Sequence, residues 1–202
     1  KIDDFIICLS ELHSQADYIT INISSPNTEG LRDFHEKKSL SKLLEKLNSL
    51  KLKKKINKPL FIKISPDIDD EDISQINEII LRHNINGIII SNSTDRNRAG
   101  LYDNNKNEEG GLSGLPLKDL STKLIKRFYR ETKGKIQIIG VGGVDSGQST
   151  FEKIISGANA VQLYTGMIYK GPGIVKEIKK ELIKILNKEK IKNITAAIGI
   201  NS

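Results

Sequence analysis

The sequence predicts an α/β fold built on a parallel sheet, and three observations carry that expectation. Five apolar, β-branched runs, at 18–23, 59–64, 87–91, 136–141 and 160–164, are separated by segments of helical periodicity. The runs are close to continuously apolar, as strands in a helix-covered parallel sheet are. The alternation of strand and helix is strict, which leads to parallel strands in one sheet under a cover of helices.

The elements follow in order. The run 18–23 ends in Asn22-Ile23-Ser24-Ser25-Pro26-Asn27-Thr28-Glu29, a cluster of amides and hydroxyls. Leu40, Leu43, Leu44 and Leu47 then share one helical face, as do Ile73, Ile76 and Ile80. Asp69, Asp70, Glu71 and Asp72 crowd the start of the Ile73 helix, where its dipole favours anions. Leu117, Leu120, Leu124 and Phe128 form a third stripe, a shorter helix spans about Phe151–Ser156, and Val175, Ile178, Leu182 and Ile185 form the last.

Composition bounds the function. The 202 residues, 37% hydrophobic and 28% charged, suffice for one soluble globular domain with a real core. No stretch approaches the roughly 20 apolar residues of a membrane span, and the opening Lys1-Ile2-Asp3-Asp4 lacks a signal-peptide pattern. The lone Cys8 excludes an internal disulfide and a cysteine metal site, and among Phe5, Ile6, Ile7 and Leu9 it reads as a buried small hydrophobe. His13, His35 and His83 lack metal-ligand spacing and read as surface or boundary residues. The net charge of +7 is scattered over most helices, and without tryptophan there is little to stack on bases, so no nucleic-acid partner is expected. Three Asn-x-Ser/Thr matches, at Asn22, Asn92 and Asn193, read as chance in a chain without a secretory signal.

The strand ends carry the chemistry. Polar side chains gathered where a buried strand stops usually mark a site, because unpaired polar groups are costly to bury. Pro26 and Asn27 alone would equally suit an ordinary turn. Lys63 lies between Ile62 and Ile64 in a run too apolar for a surface lysine, so it is either paired with a carboxylate or faces a bound anion or flavin. The run 87–91 leads into Ser91-Asn92-Ser93-Thr94, and a polar loop, 95–111, reads as a lid or a disordered insertion.

Gly140-Val141-Gly142-Gly143-Val144-Asp145 fails the dinucleotide-binding pattern, because Asp145 stands where its third glycine belongs. A (β/α) barrel uses these glycines better. Its last two strand ends commonly hold a phosphate, and here those ends are Gly142-Gly143 and Tyr164-Thr165-Gly166.

At this point the motifs form an ordered series: Asn22 to Thr28, Lys63-Ile64-Ser65-Pro66-Asp67, Ser91 to Thr94, Gly110 to Leu117, Gly140 to Gly143, and Gln162 to Gly166. The series resembles the C-terminal part of the dihydroorotate dehydrogenases, FMN-dependent enzymes of pyrimidine synthesis. The resemblance implies a (β/α)8 TIM barrel of which residues 1–202 supply about strands four to eight, with an opening helix near Ile2–His13. It also implies that the N-terminal strands and the membrane-associating helices lie outside this chain, and that these residues alone are neither stable nor active.

The resemblance further implies roles. Ser25 matches the active-site base of the quinone-linked class, where soluble classes carry cysteine. Asn22, Asn27, Asn92 and Ser93 match groups that hold the dihydroorotate or orotate ring. Asn22, Lys63, Ser91, Gly114, Gly143, Tyr164 and Thr165 match flavin contacts. The implied partners are FMN, dihydroorotate and a quinone, at the cytoplasmic side of an inner membrane, or the mitochondrial inner membrane if the source is eukaryotic. Ser91 and Ser93 replace threonines common in the family and Thr165 a serine, keeping the hydroxyl each time, whereas Glu29 replaces a proline and leaves its loop less stiff. Another FMN barrel oxidoreductase and a non-catalytic half-barrel are the rival readings. Ser25 in place of cysteine argues against the first, and the retained polar ring against the second.

Overall fold

A computed structural model describes residues 1–96, 98 and 100–202. Five strands, β1 (Ile19–Asn22), β2 (Leu60–Ile64), β3 (Gly87–Ile90), β4 (Gln137–Val141) and β5 (Ala160–Gln162), pair in chain order. Every pairing is parallel. The helices are α1 (Ile2–Leu12), α2 (Lys37–Lys54), α3 (Asp70–Arg82), α4 (Lys118–Thr132), α5 (Gly147–Ile155), α6 (Thr165–Lys170) and α7 (Ile174–Lys188).

The core lies between the sheet and the helices. Ile21, Ile62, Ile64, Ile88, Ile90 and Ile138 pack there with the α2 leucines and with Ile73, Ile76, Ile79 and Ile80 of α3. Leu40, Leu43, Leu44 and Leu47 are fully buried, each contributing about 2 kcal/mol of apolar transfer. Because successive strand residues face opposite sides, the intervening positions point to the other face. There the register aligns Asn22 with Lys63 and Lys63 with Ile89. The same alternation that builds the core thus sends Asn22 and Lys63 to the face opposite it.

Helix starts follow their caps. Asp69 and Asp72 form a reciprocal capping box at α3, and Ser146 with Ser149 does the same at α5, each satisfying two otherwise orphaned backbone donors. The Ser146 box starts α5 four residues earlier than the apolar pattern alone indicates. Strand β5 stops at Gln162, and Thr165 opens α6 rather than extending the strand.

Two expectations are corrected. Cys8 is exposed: α1 turns Ile2, Phe5, Ile6 and Leu9 to the core, which leaves Cys8 and Ile7 on the outer side. His35 is buried rather than at the surface, 7% exposed. It stitches two loops, its Nδ1 lying 2.9 Å from the Arg32 carbonyl and its Nε2 accepting from the Ser65 N–H at 3.2 Å.

Candidate active site

Parallel strands end on one side, so the segments following β1 to β5 gather there. A cavity of about 600 Å³ opens among them, lined by Lys63, Ser91, Asn92, Ser93, Gly114, Gly143, Tyr164 and Thr165 with their neighbours. That volume lies within the range of small-molecule and cofactor sites. Eight of the eleven sequence-predicted site residues therefore line one cavity. Asn22, Ser25 and Asn27 belong to the turn beside it.

The two groups are joined. Asn92 Nδ2 donates to Ser24 Oγ at 3.0 Å and reaches Asn22 Oδ1 at 3.4 Å. Ser24 Oγ in turn donates to Asn22 Oδ1 at 2.7 Å. Gly111 fills the gap between Ser93 and Pro26: a methyl group there would meet Ser93 Cβ at 2.5 Å and Pro26 Cγ at 3.3 Å. The turn carrying Ser25 is thereby packed on the strand end carrying Asn92 and Ser93.

Within that turn, Ser25 Oγ accepts from the Asn27 N–H at 3.2 Å and from the Thr28 hydroxyl at 3.4 Å. Ser25 is half-buried, whereas Asn22 and Asn27 are exposed. Lys63 is half-buried and, among the described residues, forms no ion pair. Burial lowers its pKa, because a charged ammonium loses hydration there.

At the far end, Gly143 (φ +67°) and Gly114 (φ +80°) adopt left-handed backbone. A side chain at Gly143 would strike Lys118 Cβ at 2.5 Å and its Cα at 2.8 Å; one at Gly114 would strike Thr165 Cγ2 at 2.8 Å. The cradle is closed by Ser113 Oγ, 2.9 Å from Thr165 Oγ1. Glycine backbone, hydroxyls and the start of α6 together suit an anion such as a phosphate monoester. Tyr164 lines the cavity while remaining 75% exposed.

Sequence reasoning missed a second tier. Asp67 takes a hydroxyl bond from Thr94, an N–H from Asp95 at 3.2 Å and an ion pair from Arg32 at 3.3 Å. Its side chain is only 2% exposed, and burial raises its pKa. Arg32 also pairs with Asp95 at 2.8 Å. This cluster ties the loops after β1, β2 and β3 to one another. The signal in sequence was a carboxylate directly behind a strand end, Pro66-Asp67.

The loop after β3 is held at its base by an antiparallel bridge between Thr94 and Leu112. Arg98 donates to the carbonyls of Lys106 at 2.9 Å and Glu108 at 2.8 Å, and to that of Gly110. A short 3-10 turn, Asn104–Asn107, lies within it. Of the two readings of this loop, a lid or a disordered insertion, the second does not fit its described parts, which form an organised excursion; Asn97 and Ala99 lie outside the described residues. Among the described residues no cluster of metal ligands occurs and no helix is long and apolar enough to cross a membrane.

Comparison with known proteins matches this architecture. The family model for dihydroorotate dehydrogenase matches residues 1–186. A relative from Haemophilus ducreyi described as dihydroorotate dehydrogenase (quinone) is 48% identical over 188 residues, 90% of this chain and 56% of its own length. One from Idiomarina loihiensis, described in the same words, is 43% identical over 185 residues, covering 90% of this chain and 55% of itself. The chain thus spans about half the length of these curated relatives. Among solved structures, ligand-free dihydroorotate dehydrogenase from Eimeria tenella superposes with a TM-score of 0.93 at 35% identity, covering 99% of this chain and 60% of that one. The complex of the Eimeria tenella enzyme with ferulenol gives 0.96 at 35% identity, covering 99% and 58%. The five parallel strands and their helices are therefore part of a (β/α)8 barrel. With its family model matched over most of its length and its strand ends arranged around one cavity, the chain belongs to the dihydroorotate dehydrogenase family.

Proposed function

We propose that residues 1–202 form the C-terminal part of one FMN-binding barrel domain that oxidises dihydroorotate to orotate and passes the electrons to a quinone. The carrying observation is the convergence on one cavity of Lys63, the Asn92 and Ser93 amide-hydroxyl pair, and the Gly143–Thr165 cradle. The quinone assignment rests on Ser25 and on the relatives described as quinone enzymes. Such an enzyme would work at a membrane through segments preceding these residues.

The residues fit FMN. The glycine turn offers backbone where a side chain could not be accommodated, the cavity has the volume for a fused ring system, and Lys63 presents a cation that pairs with no carboxylate among the described residues. When bound, FMN would accept a hydride from C6 of the substrate and later yield its electrons to the quinone. Gly143, Gly114 and Thr165 would hold the phosphate end, and Lys63 would stabilise negative charge developing on the ring.

Ser25 would take the proton from C5. A serine hydroxyl is a weak base, and the two donors on its oxygen, from Asn27 and Thr28, favour the deprotonated state by stabilising charge there. No histidine lies in this turn, so the proton leaves by a relay of hydroxyls and water. Asn22, Asn27, Asn92 and Ser93 would fix a planar ligand with alternating donors and acceptors. The Asn92–Ser24–Asn22 bonds set the amide orientation beforehand.

The test is anaerobic mixing of the complete protein with dihydroorotate while flavin absorbance is followed. Rapid bleaching, restored by a quinone, supports the reading. A bound flavin that does not bleach would overturn the substrate; a complete protein that binds no flavin would overturn the whole assignment.

A further inference from the structure

Lys153, on α5, is 0% exposed. Its Nζ donates to three neutral oxygens, Ser121 Oγ at 3.1 Å, Thr122 Oγ1 at 3.1 Å and the Lys118 carbonyl at 3.4 Å. The three ammonium hydrogens are thus matched by three acceptors, none of them a carboxylate. The adjacent Glu152 is engaged instead by Lys118 Nζ at 2.7 Å. A fully buried cation without a carboxylate partner is costly, and burial pulls this ammonium down to about 8 against the upward pull of Glu152 and Asp119.

Its surroundings lead to the cradle. The Lys118 carbonyl it binds belongs to the residue whose backbone packs against Gly143. Ser121, which accepts from Lys153, donates its hydroxyl to the Val141 carbonyl, directly before Gly142-Gly143, and lies 3.3 Å from the carbonyl of Ile90, directly before Ser91. The stem of Lys153 passes beneath Gly140, where a side chain would meet Lys153 Cδ at 3.1 Å and Ile125 Cδ1 at 2.9 Å. One ammonium therefore braces the first turn of α4 and, through Ser121, the ends of β3 and β4.

We propose that Lys153 is a positioning residue for the phosphate cradle, holding the Gly142–Gly143 turn in the shape that takes a phosphate monoester and placing a buried positive charge, bonded only to neutral oxygens among the described residues, behind it. The proposal rests on the flavin reading above and adds a residue that does not touch the ligand. It predicts that loss of the ammonium is felt by the phosphate end and not by the ring end.

The experiment compares FMN with riboflavin, which lacks the phosphate, by fluorescence titration of the complete apoprotein. In Lys153→Met, FMN should bind about tenfold more weakly or worse, the scale of one lost charge-assisted interaction, while riboflavin affinity stays within about twofold. Lys153→Arg should recover part of the FMN affinity. Ser121→Ala, which cuts the relay but keeps the ammonium, should shift FMN in the same direction and decides the matter if Lys153→Met fails to fold. Equal weakening of both flavins, or an FMN preference that survives both Lys153→Met and Ser121→Ala, would overturn the proposal alone. No FMN preference in the native protein would instead strike the flavin reading, and the proposal with it.

Discussion

Asn92, beyond the end of β3, donates its side-chain amide to Ser24 Oγ beyond the end of β1, at 3.0 Å, passing over the end of β2 between them. One side chain thus registers two strand ends that never pair directly. Asn92→Ala removes both this tie and a proposed substrate donor, and kcat/KM should fall about 10- to 100-fold. Ser24→Ala removes the tie and the Ser24 bond to Asn22 Oδ1 but no proposed substrate donor, and should cost less. Equal losses in the two variants would show that Asn92 acts only as a brace.

Ser25→Ala should slow flavin reduction by dihydroorotate about 10²- to 10⁴-fold, the usual contribution of a positioned general base. Orotate affinity should change little, because the proposed ring contacts of Asn22, Asn92 and Ser93 stay in place. Stopped-flow absorbance measures the first quantity and orotate titration the second. An unchanged reduction rate would remove Ser25 from the proton path.

Gly143→Ala combines a positive φ with a methyl group 2.5 Å from Lys118 Cβ. The left-handed conformation alone costs about 1–2 kcal/mol, and the contact adds to it. The variant should show lowered FMN affinity together with a lowered Tm, since the turn and the start of α4 must separate. A normal Tm with normal FMN retention would show that the cradle is more yielding than its geometry indicates.

His35 gives a pH dependence with a definite sign. Burial is the largest cause lowering its pKa below 6.5, outweighing the Arg32 carbonyl bond that raises it. Its Nε2 accepts from the Ser65 N–H, so the native state needs the neutral ring with the proton on Nδ1. Below about pH 6.5 the unfolded chain takes up a proton that the folded one resists, so stability falls as pH falls through that window. Thermal unfolding of the complete protein from pH 8 to 5 should show this slope, and His35→Ala should flatten it while lowering Tm throughout.

The parts of this fold that were legible in the sequence are those set by local chemistry. Strand β2 announces itself as Leu60-Phe61-Ile62 before Lys63, and α3 by four acidic residues ahead of Ile73. The polar strand ends were legible because a buried strand has few other reasons to finish in Asn, Ser and Thr. What escaped depends on tertiary placement. Cys8 could be assigned inside or outside only once the core-facing stripe of α1 was known. His35 is buried by a loop wrapped over the end of β2, and no periodicity records such a contact. Lys153 sits in an ordinary helical pattern, and its role is visible only when Ser121 and Gly140 are seen around it.

The bridge between Thr94 and Leu112 has a further meaning for anyone altering this protein. Because it fastens both feet of the 95–111 excursion to each other, changes near the Asn104–Asn107 turn should be absorbed within the excursion before they reach Ser93 or Gly114. Lengthening a loop whose ends are already joined adds little closure entropy. That turn is a place where a spectroscopic probe or a short peptide tag could be grafted without disturbing the groups that line the cavity.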